Sequence, residues 1–100
     1  MKIEDIKIGD VIADKWGVTM SLYSFYQVIK KTDKTITIRP MRKATSRWCG
    51  FMECEVKPIF ADELAKTITK RADKDGNIYG IDGYMTPYNP YNEYIECHAD

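Results

Sequence analysis

The chain has 100 residues, of which 44% are apolar and 30% are charged, a composition typical of a folded domain and not of a disordered segment. Fifteen basic and fifteen acidic residues cancel, so the total charge points to neither nucleic acid nor a membrane surface. No apolar run approaches the roughly 18 residues that span a bilayer, and the charged N-terminus does not resemble a signal peptide. We therefore expect one domain, residues 1–100, in a cytoplasm.

The first half of the chain has the periodicity of β-strands. A first strand is predicted after Gly9 and Asp10, from Val11 toward Gly17. Residues 25–31 contain two aromatic and two β-branched residues, and residues 35–41 alternate isoleucine with threonine and arginine, with a short polar stretch between the two runs. These two runs predict a β-hairpin. Proline cannot donate to a strand ladder, so Pro40 predicts that the end of this strand lies at a sheet edge or a bulge.

The second half predicts further short strands. Residues 51–58 alternate apolar and charged side chains, and residues 67–71 and 78–81 form a second predicted hairpin around the turn cluster 73–77. Residues 61–66 predict a short helix, and whether residues 61–71 are helix or strand stays open. The fold class expected is mainly β, a single small SH3-like or partly open β-barrel with at most one short helix.

Residues 9–39 contain a specific series of short motifs. They are Gly9-Asp10-Val11, Trp16-Gly17, Phe25-Tyr26-Gln27-Val28, Lys34-Thr35 and Ile38-Arg39. This series resembles small, mostly uncharacterised proteins of bacteriophages and plasmids, and the rest of the chain is compatible with their glycine-containing hairpin and Pro/Tyr-rich tail. The resemblance implies a phage or mobile-element origin in a bacterial cytoplasm and implies no reaction. Residues 18–24 depart from the polar sequence expected there, so the partner of this chain could differ.

Metal and catalytic sites find little support in the sequence. Cys49, Cys54, Cys97 and His98 form a numerical Cys3His set, but Cys97 and His98 are adjacent, and neighbours on a strand point to opposite faces. Three cysteines exclude a complete disulfide framework, and we expect reduced thiols. The cluster 73–77 lacks the calcium-loop spacing, and no glycine-rich phosphate loop occurs. We expect no metal, no cofactor and no catalytic residue.

Positive charge is concentrated between Lys30 and Arg47. Seven basic residues and one acidic residue give this stretch a net charge of +6. The candidate basic surface comprises Lys30, Lys31, Lys34, Arg39, Arg42, Lys43, Arg47 and Trp48. Cations interleaved with an aromatic residue suit a nucleic-acid backbone, whereas the alternative is a solvated face that pairs internally with acidic residues. If the loop residues Arg42, Lys43 and Arg47 contact phosphates, their removal should weaken binding and barely change stability.

Negative charge is concentrated after residue 72. Six acidic residues and one lysine between residues 73 and 100 give a net charge of −5. The candidate acidic surface comprises Asp73, Asp75, Asp82 and Glu93. Four tyrosines in the proline-interrupted segment 84–94 are expected mainly to cover one barrel opening.

The sequence favours a non-catalytic binding module over an enzyme. The leading hypothesis is contact with a host protein through the acidic surface, with modulation or inhibition of host or defence machinery, by analogy with small phage-encoded domains. The alternative is RNA or DNA binding through residues 30–47. Neither hypothesis involves a membrane, and the oligomeric state is not predicted.

Overall fold

A computed structural model describes residues 1–17, 21–50, 52–80 and 84–97. The elements are a 3-10 helix at Ile3–Asp5 and strands β1 (Val11–Trp16), β2 (Leu22–Lys31), β3 (Thr35–Gly50), β4 (Glu53–Ala61), β5 (Ile68–Arg71), β6 (Tyr84–Pro87) and β7 (Ile95–Cys97). The sheet order is β6-β1-β2-β3-β4-β7, and β5 pairs with β3. This strongly curled half-barrel sheet confirms the prediction of a mainly β, partly open barrel.

The predicted hairpin 25–31/35–41 is confirmed as the centre of the sheet. The antiparallel register of β2 and β3 runs from Phe25 opposite Met41 to Lys31 opposite Ile36, with a bulge after Val28. On the other side of β2, the predicted first strand is present as β1. The alternation of residues 51–58 is confirmed at Cys54 and Val56, which are both buried in β4.

Both faces of the sheet bury apolar side chains, because neighbouring residues on a strand point to opposite sides. One face, called here the isoleucine face, carries a cluster formed by Ile3, Ile6, Ile12, Tyr26, Val28, Ile36, Ile38, Ile78 and Met85. The opposite side, called the phenylalanine face, carries Ala13, Phe25, Cys54, Val56 and Tyr94. Phe25 and the adjacent Tyr26 are only 1% and 7% exposed, so β2 is covered from both sides at this point.

The predicted strand 35–41 is too short, because β3 continues past Pro40 and Met41 to Gly50. The carbonyl of Pro40 accepts a hydrogen bond from the Asp62 N–H at 2.9 Å. In a β-strand the N–H and C=O of one residue point the same way, so the missing N–H of Pro40 faces away from β2. It faces the junction where β4 ends and β5 begins, and no ladder bond is lost there.

The predicted helix at residues 61–66 is wrong. β4 ends at Ala61, and the chain then turns, with Asp62 accepting bonds from the Leu64 N–H (3.1 Å) and the Ala65 N–H (3.0 Å). Six residues are too few to offset the cost of helix nucleation without tertiary packing, and Leu64 is 95% exposed. The open question over residues 61–71 is answered by strand at residues 68–71, which form β5 and pair with β3, whereas residues 62–67 lie in neither a helix nor a strand.

The second predicted hairpin is also wrong. Residues 68–71 pair with β3, and residues 78–80 are not in a strand, while Ile81 lies outside the described residues. The turn between them is present, with Gly76 at a positive φ of 80° and its N–H bonded to the Asp73 carbonyl. The chain after this turn contacts the N-terminus instead, because the N–H of Ile78 donates to the Met1 carbonyl. The Ile78 side chain is buried.

The tyrosine-rich segment 84–94 begins with β6 and leads into β7, two strands that the sequence does not predict. β6 pairs with β1, and β7 pairs with β4 and also exchanges backbone hydrogen bonds with Ser21. Between them, the rings of Tyr88 and Tyr94 both lie 5.7 Å from that of Phe25. The segment thus covers part of the phenylalanine face, although Tyr91 is 94% exposed and the Tyr84 side chain lies outside the described residues.

Candidate nucleic-acid interface

The structure divides the predicted basic surface into two groups. The first group is held by internal contacts: Lys43 Nζ pairs with Glu96 and donates to the Tyr23 carbonyl at 2.7 Å. Arg47 donates to Glu55 at 3.1 Å and to Glu93 at 2.9 Å. Lys43 and Arg47 therefore agree with the alternative interpretation, in which basic residues pair with acidic residues of the same chain.

The contacts between Arg47 and Glu55 shift the pKa of both side chains. Hydrogen bonds from Ser46 and Arg47 hold the pKa of Glu55 below its ordinary value, and the bond to Glu55 raises the pKa of Arg47. Lys31 is likewise engaged, since its Nζ donates to the Ile6 carbonyl at 2.6 Å. A ligand would therefore have to displace existing partners to reach Lys31, Lys43 or Arg47.

The second group lies on the uncovered part of the phenylalanine face. Residues opposite one another on adjacent strands project to the same face. Gln27 is opposite Arg39, Lys30 is opposite Thr37, Thr37 is opposite Thr69, and Thr35 is opposite Arg71. Within β3, Thr35, Thr37 and Arg39 alternate with the buried Ile36 and Ile38. We call this set the cationic patch: Gln27, Lys30, Thr35, Thr37, Arg39, Thr69 and Arg71.

The cationic patch is positive because no acidic residue occurs in β2, β3 or β5. Lys30 and Arg71 are exposed, and Arg39 is half-buried. Thr37 and Thr69 share a hydroxyl–hydroxyl hydrogen bond of 3.3 Å across β3 and β5. The patch thus presents positively charged side chains among neutral hydrogen-bonding side chains.

An arginine–aromatic pair borders the cationic patch. The guanidinium carbon of Arg42 lies over the Phe60 ring, 5.3 Å from its centroid, as the two residues face each other on β3 and β4. Phe60 is nevertheless 52% exposed. The pair lines an open cleft of about 470 Å³ together with Gln27 and Arg39 from the patch.

Two residues of the predicted basic surface lie elsewhere. Trp48 is 69% exposed and follows Arg42 by six residues along β3, a separation of about 20 Å at roughly 3.3 Å per residue. Lys34 is exposed in the β2–β3 turn and borders a second open cavity with Arg71 and Asp73. Sequence reasoning missed Gln27, Phe60 and Arg71 as site residues, because only strand register brings them to the patch.

The predicted acidic surface falls into separate neighbourhoods. Asp73 closes its own turn by accepting bonds from the N–H groups of Asp75 and Asn77, each at 2.9 Å, and from the Tyr79 hydroxyl at 2.7 Å. These bonds hold the pKa of Asp73 below its ordinary value and raise that of Tyr79. Glu93 instead binds Arg47, and Asp82 lies outside the described residues.

The cysteines occupy three different environments. Cys49 is exposed, Cys54 is buried and Cys97 is half-buried, and all three are free thiols. His98 lies outside the described residues. Within the ranges that the structure describes, no group of three or more His, Cys, Asp or Glu residues could hold a metal ion.

In comparisons with known proteins, no family model matches the chain, and no curated protein or solved structure matches it. Among the described residues, no helix has the length and apolar character needed to cross a membrane.

Proposed function

We propose that this chain is a non-catalytic binding module and that the cationic patch is its contact surface for nucleic acid. The observation that carries the proposal is the alignment of Lys30, Arg39 and Arg71 on one sheet face formed by strands without an acidic residue. The proposed setting is a bacterial cytoplasm, in a phage or mobile element, which rests on the resemblance of residues 9–39 alone.

Phosphate recognition explains the composition of the patch. Lysine and arginine neutralise backbone phosphates, and binding gains free energy from the counterions they release. Threonine hydroxyls and the glutamine amide supply hydrogen bonds to phosphate and sugar oxygens. Because the contacts of Lys43 and Arg47 are already satisfied within the chain, the proposal transfers the nucleic-acid function from residues 42–47, which lie in β3 and not in the predicted loop, to the cationic patch.

Contact with a host protein is the second candidate function. The observation in its favour is a group of exposed apolar residues at the end of β4 and in the turn that follows, with Ile59, Phe60 and Leu64 being 50%, 52% and 95% exposed. Exposed apolar residues that adjoin one another are typical of protein contact surfaces. Modulation or inhibition of host or defence machinery would follow from such a contact.

The test is a matched pair of triple variants. Lys30→Gln/Arg39→Gln/Arg71→Gln removes three charges from the cationic patch, and Lys7→Gln/Lys15→Gln/Lys57→Gln removes three exposed charges elsewhere. We expect the patch variant to weaken binding of a labelled single-stranded oligonucleotide and to flatten its log–log salt slope by about two, since each phosphate contact contributes about 0.7. The control variant should leave the slope within about 0.5 of the original, a small fraction of three contacts.

Two results would reject the proposal. The first is equal loss of affinity in both variants, which would reduce the interaction to total charge. The second is no binding by the unmodified protein at about 50 mM salt, where even non-specific phosphate contacts are favoured. In the second case, a protein that is pulled down by the unmodified chain but not by the Leu64→Asp variant would favour the host-protein function.

A further inference from the structure

The cleft beside Phe60 differs in chemistry from the cationic patch that it adjoins. Its walls combine an exposed aromatic ring, the apolar side chain of Leu64, the donors of Arg39 and Arg42, the amide of Gln27 and the carboxylate of Glu63. Its volume of about 470 Å³ lies within the range of small-molecule sites. The cleft therefore offers stacking, donors and acceptors in one place.

We infer that this cleft seats one unstacked nucleobase of a single strand, and that it favours a base with an exocyclic amino group. The inference rests on the proposed function, because the phosphates flanking that base would lie on the cationic patch. It adds to that function a preference for single strands over duplexes and a selection among bases.

The exposed ring of Phe60 supports stacking. Arg42 lies over the ring at 5.3 Å, which orients it, yet half of the residue remains accessible. Base–aromatic stacking tolerates every base and requires a base that has left its helical stack. A duplex holds its bases inside the helix and cannot make this contact without losing pairing.

The carboxylates argue for a base and against a phosphate in the cleft. Asp62 and Glu63 offset the charges of Arg39 and Arg42 among the lining residues, so a phosphate would meet both signs of charge. Asp62 is half-buried and one of its oxygens already accepts the Leu64 N–H at 3.1 Å, whereas Glu63 is exposed, so Glu63 is the more accessible acceptor for a ligand. Carboxylates accept hydrogen bonds from the amino group of cytosine, a group that thymine lacks.

Arg39 supplies the complementary donor. In the described part of the chain, its Nε is buried and has no hydrogen-bond partner. A buried polar group without a partner is uncommon in folded proteins, and a ligand in the cleft would contact the outer N–H groups of the same guanidinium, which can donate to a base carbonyl or ring nitrogen. Arg39 thus joins the two sites, as it belongs to the cationic patch and also lines the cleft.

The experiment compares Phe60→Ala, Phe60→Tyr and the neighbouring Ile59→Ala, which removes an equally exposed apolar side chain. Fluorescence anisotropy would give the Kd for labelled oligo-dC and oligo-dT of equal length and for a mixed-sequence duplex. We expect Phe60→Ala to weaken oligo-dC binding about tenfold, the lower part of the range for loss of one stacked base. Phe60→Tyr and Ile59→Ala should stay within twofold, and the duplex Kd should be unchanged in all variants.

Base selection is tested by Glu63→Gln. The unmodified protein should bind oligo-dC about fivefold tighter than oligo-dT, and Glu63→Gln should remove most of that preference. Full affinity for oligo-dC in Phe60→Ala, or equal affinity for the two oligonucleotides in the unmodified protein, would overturn the inference. Either result would leave the proposed function standing if the patch variant still weakens binding. Absence of all oligonucleotide binding would reject both.

Discussion

Replacement of Lys43 by methionine is expected to destabilise the fold, although Lys43 belongs to the predicted basic surface. The reason is Glu96, whose side chain is 3% exposed. Its carboxylate accepts the Tyr23 N–H at 2.9 Å and pairs with Lys43 Nζ, which also donates to the Tyr23 carbonyl at 2.7 Å. Lys43→Met keeps the aliphatic stem but leaves a buried carboxylate with one fewer donor.

The expected loss is about 1–3 kcal/mol of the free energy of unfolding. Removing one member of a fully buried ion pair costs about 3–5 kcal/mol, because the remaining charge is left uncompensated. The Lys43 side chain is 37% exposed, however, so solvent screens the pair and reduces that figure. The lost bond to the Tyr23 carbonyl adds about 1 kcal/mol at most. In a domain of this size, 1 kcal/mol lowers the Tm by about 4–8 °C.

Urea unfolding followed by circular dichroism provides the measurement. A double-mutant cycle with Glu96→Gln isolates the pair, and a coupling energy above about 0.5 kcal/mol is expected for groups in direct contact. Lys66→Met is the control, since Lys66 is exposed in the turn before β5 and its loss should stay within about 0.5 kcal/mol. A Lys43→Met protein as stable as this control would refute the reasoning. The structure thus changes the sequence-based expectation that Arg42, Lys43 and Arg47 can be removed together without a cost in stability.

Two further predictions concern the core and the turn at Asp73. Phe25→Ala should cost about 3–5 kcal/mol by urea unfolding, because its ring is 1% exposed and packs against Tyr88 and Tyr94; a loss below 1 kcal/mol would contradict this packing. Asp73→Asn should destabilise the fold at pH 7, and the difference should shrink as pH falls below about 4. The sign of this pH dependence follows from the pKa of Asp73, which is lower in the folded state than in the unfolded state. The stabilisation is therefore present above the unfolded-state pKa and is lost as pH falls through the folded-state pKa. Thermal melts between pH 3 and pH 7 would check this, and a difference that grows toward acid pH would contradict it.

Local alternation was sufficient to predict the centre of the sheet. Ile36 and Ile38 alternate with polar residues at the period of a strand, and the polar turn before them sets the hairpin, so both signals lie within about 15 residues. The prediction at residues 61–66 failed for the opposite reason. A helix there needed an apolar surface to pack on, and that surface is a property of the assembled fold.

The candidate site depends on pairing between distant strands. Arg71 reaches the cationic patch only because β5 pairs with β3 rather than with the next segment along the chain. Phe60 meets Arg42 because bulges in β3 and β4 bring these two residues opposite each other. Neither pairing can be predicted from local sequence, because each depends on the register between two strands. A shift of that register by one residue would move every side chain of the strand to the opposite face of the sheet. The sequence therefore revealed a basic stretch but not which of its members remain available to a ligand.

The placement of charge within the cationic patch is itself an argument for a polyanionic ligand. Each cation faces a neutral hydrogen-bonding residue in register: Lys30 faces Thr37, Arg39 faces Gln27, and Arg71 faces Thr35. Like charges directly opposite would destabilise the sheet, and this arrangement avoids them. Stability alone would be served better by acidic partners on the same face, as Glu96 serves Lys43 on the covered side. A face that keeps its cations apart and without an ion pair among the described residues, beside a cleft containing an exposed aromatic ring, matches the repeated charge and the bases of a single strand.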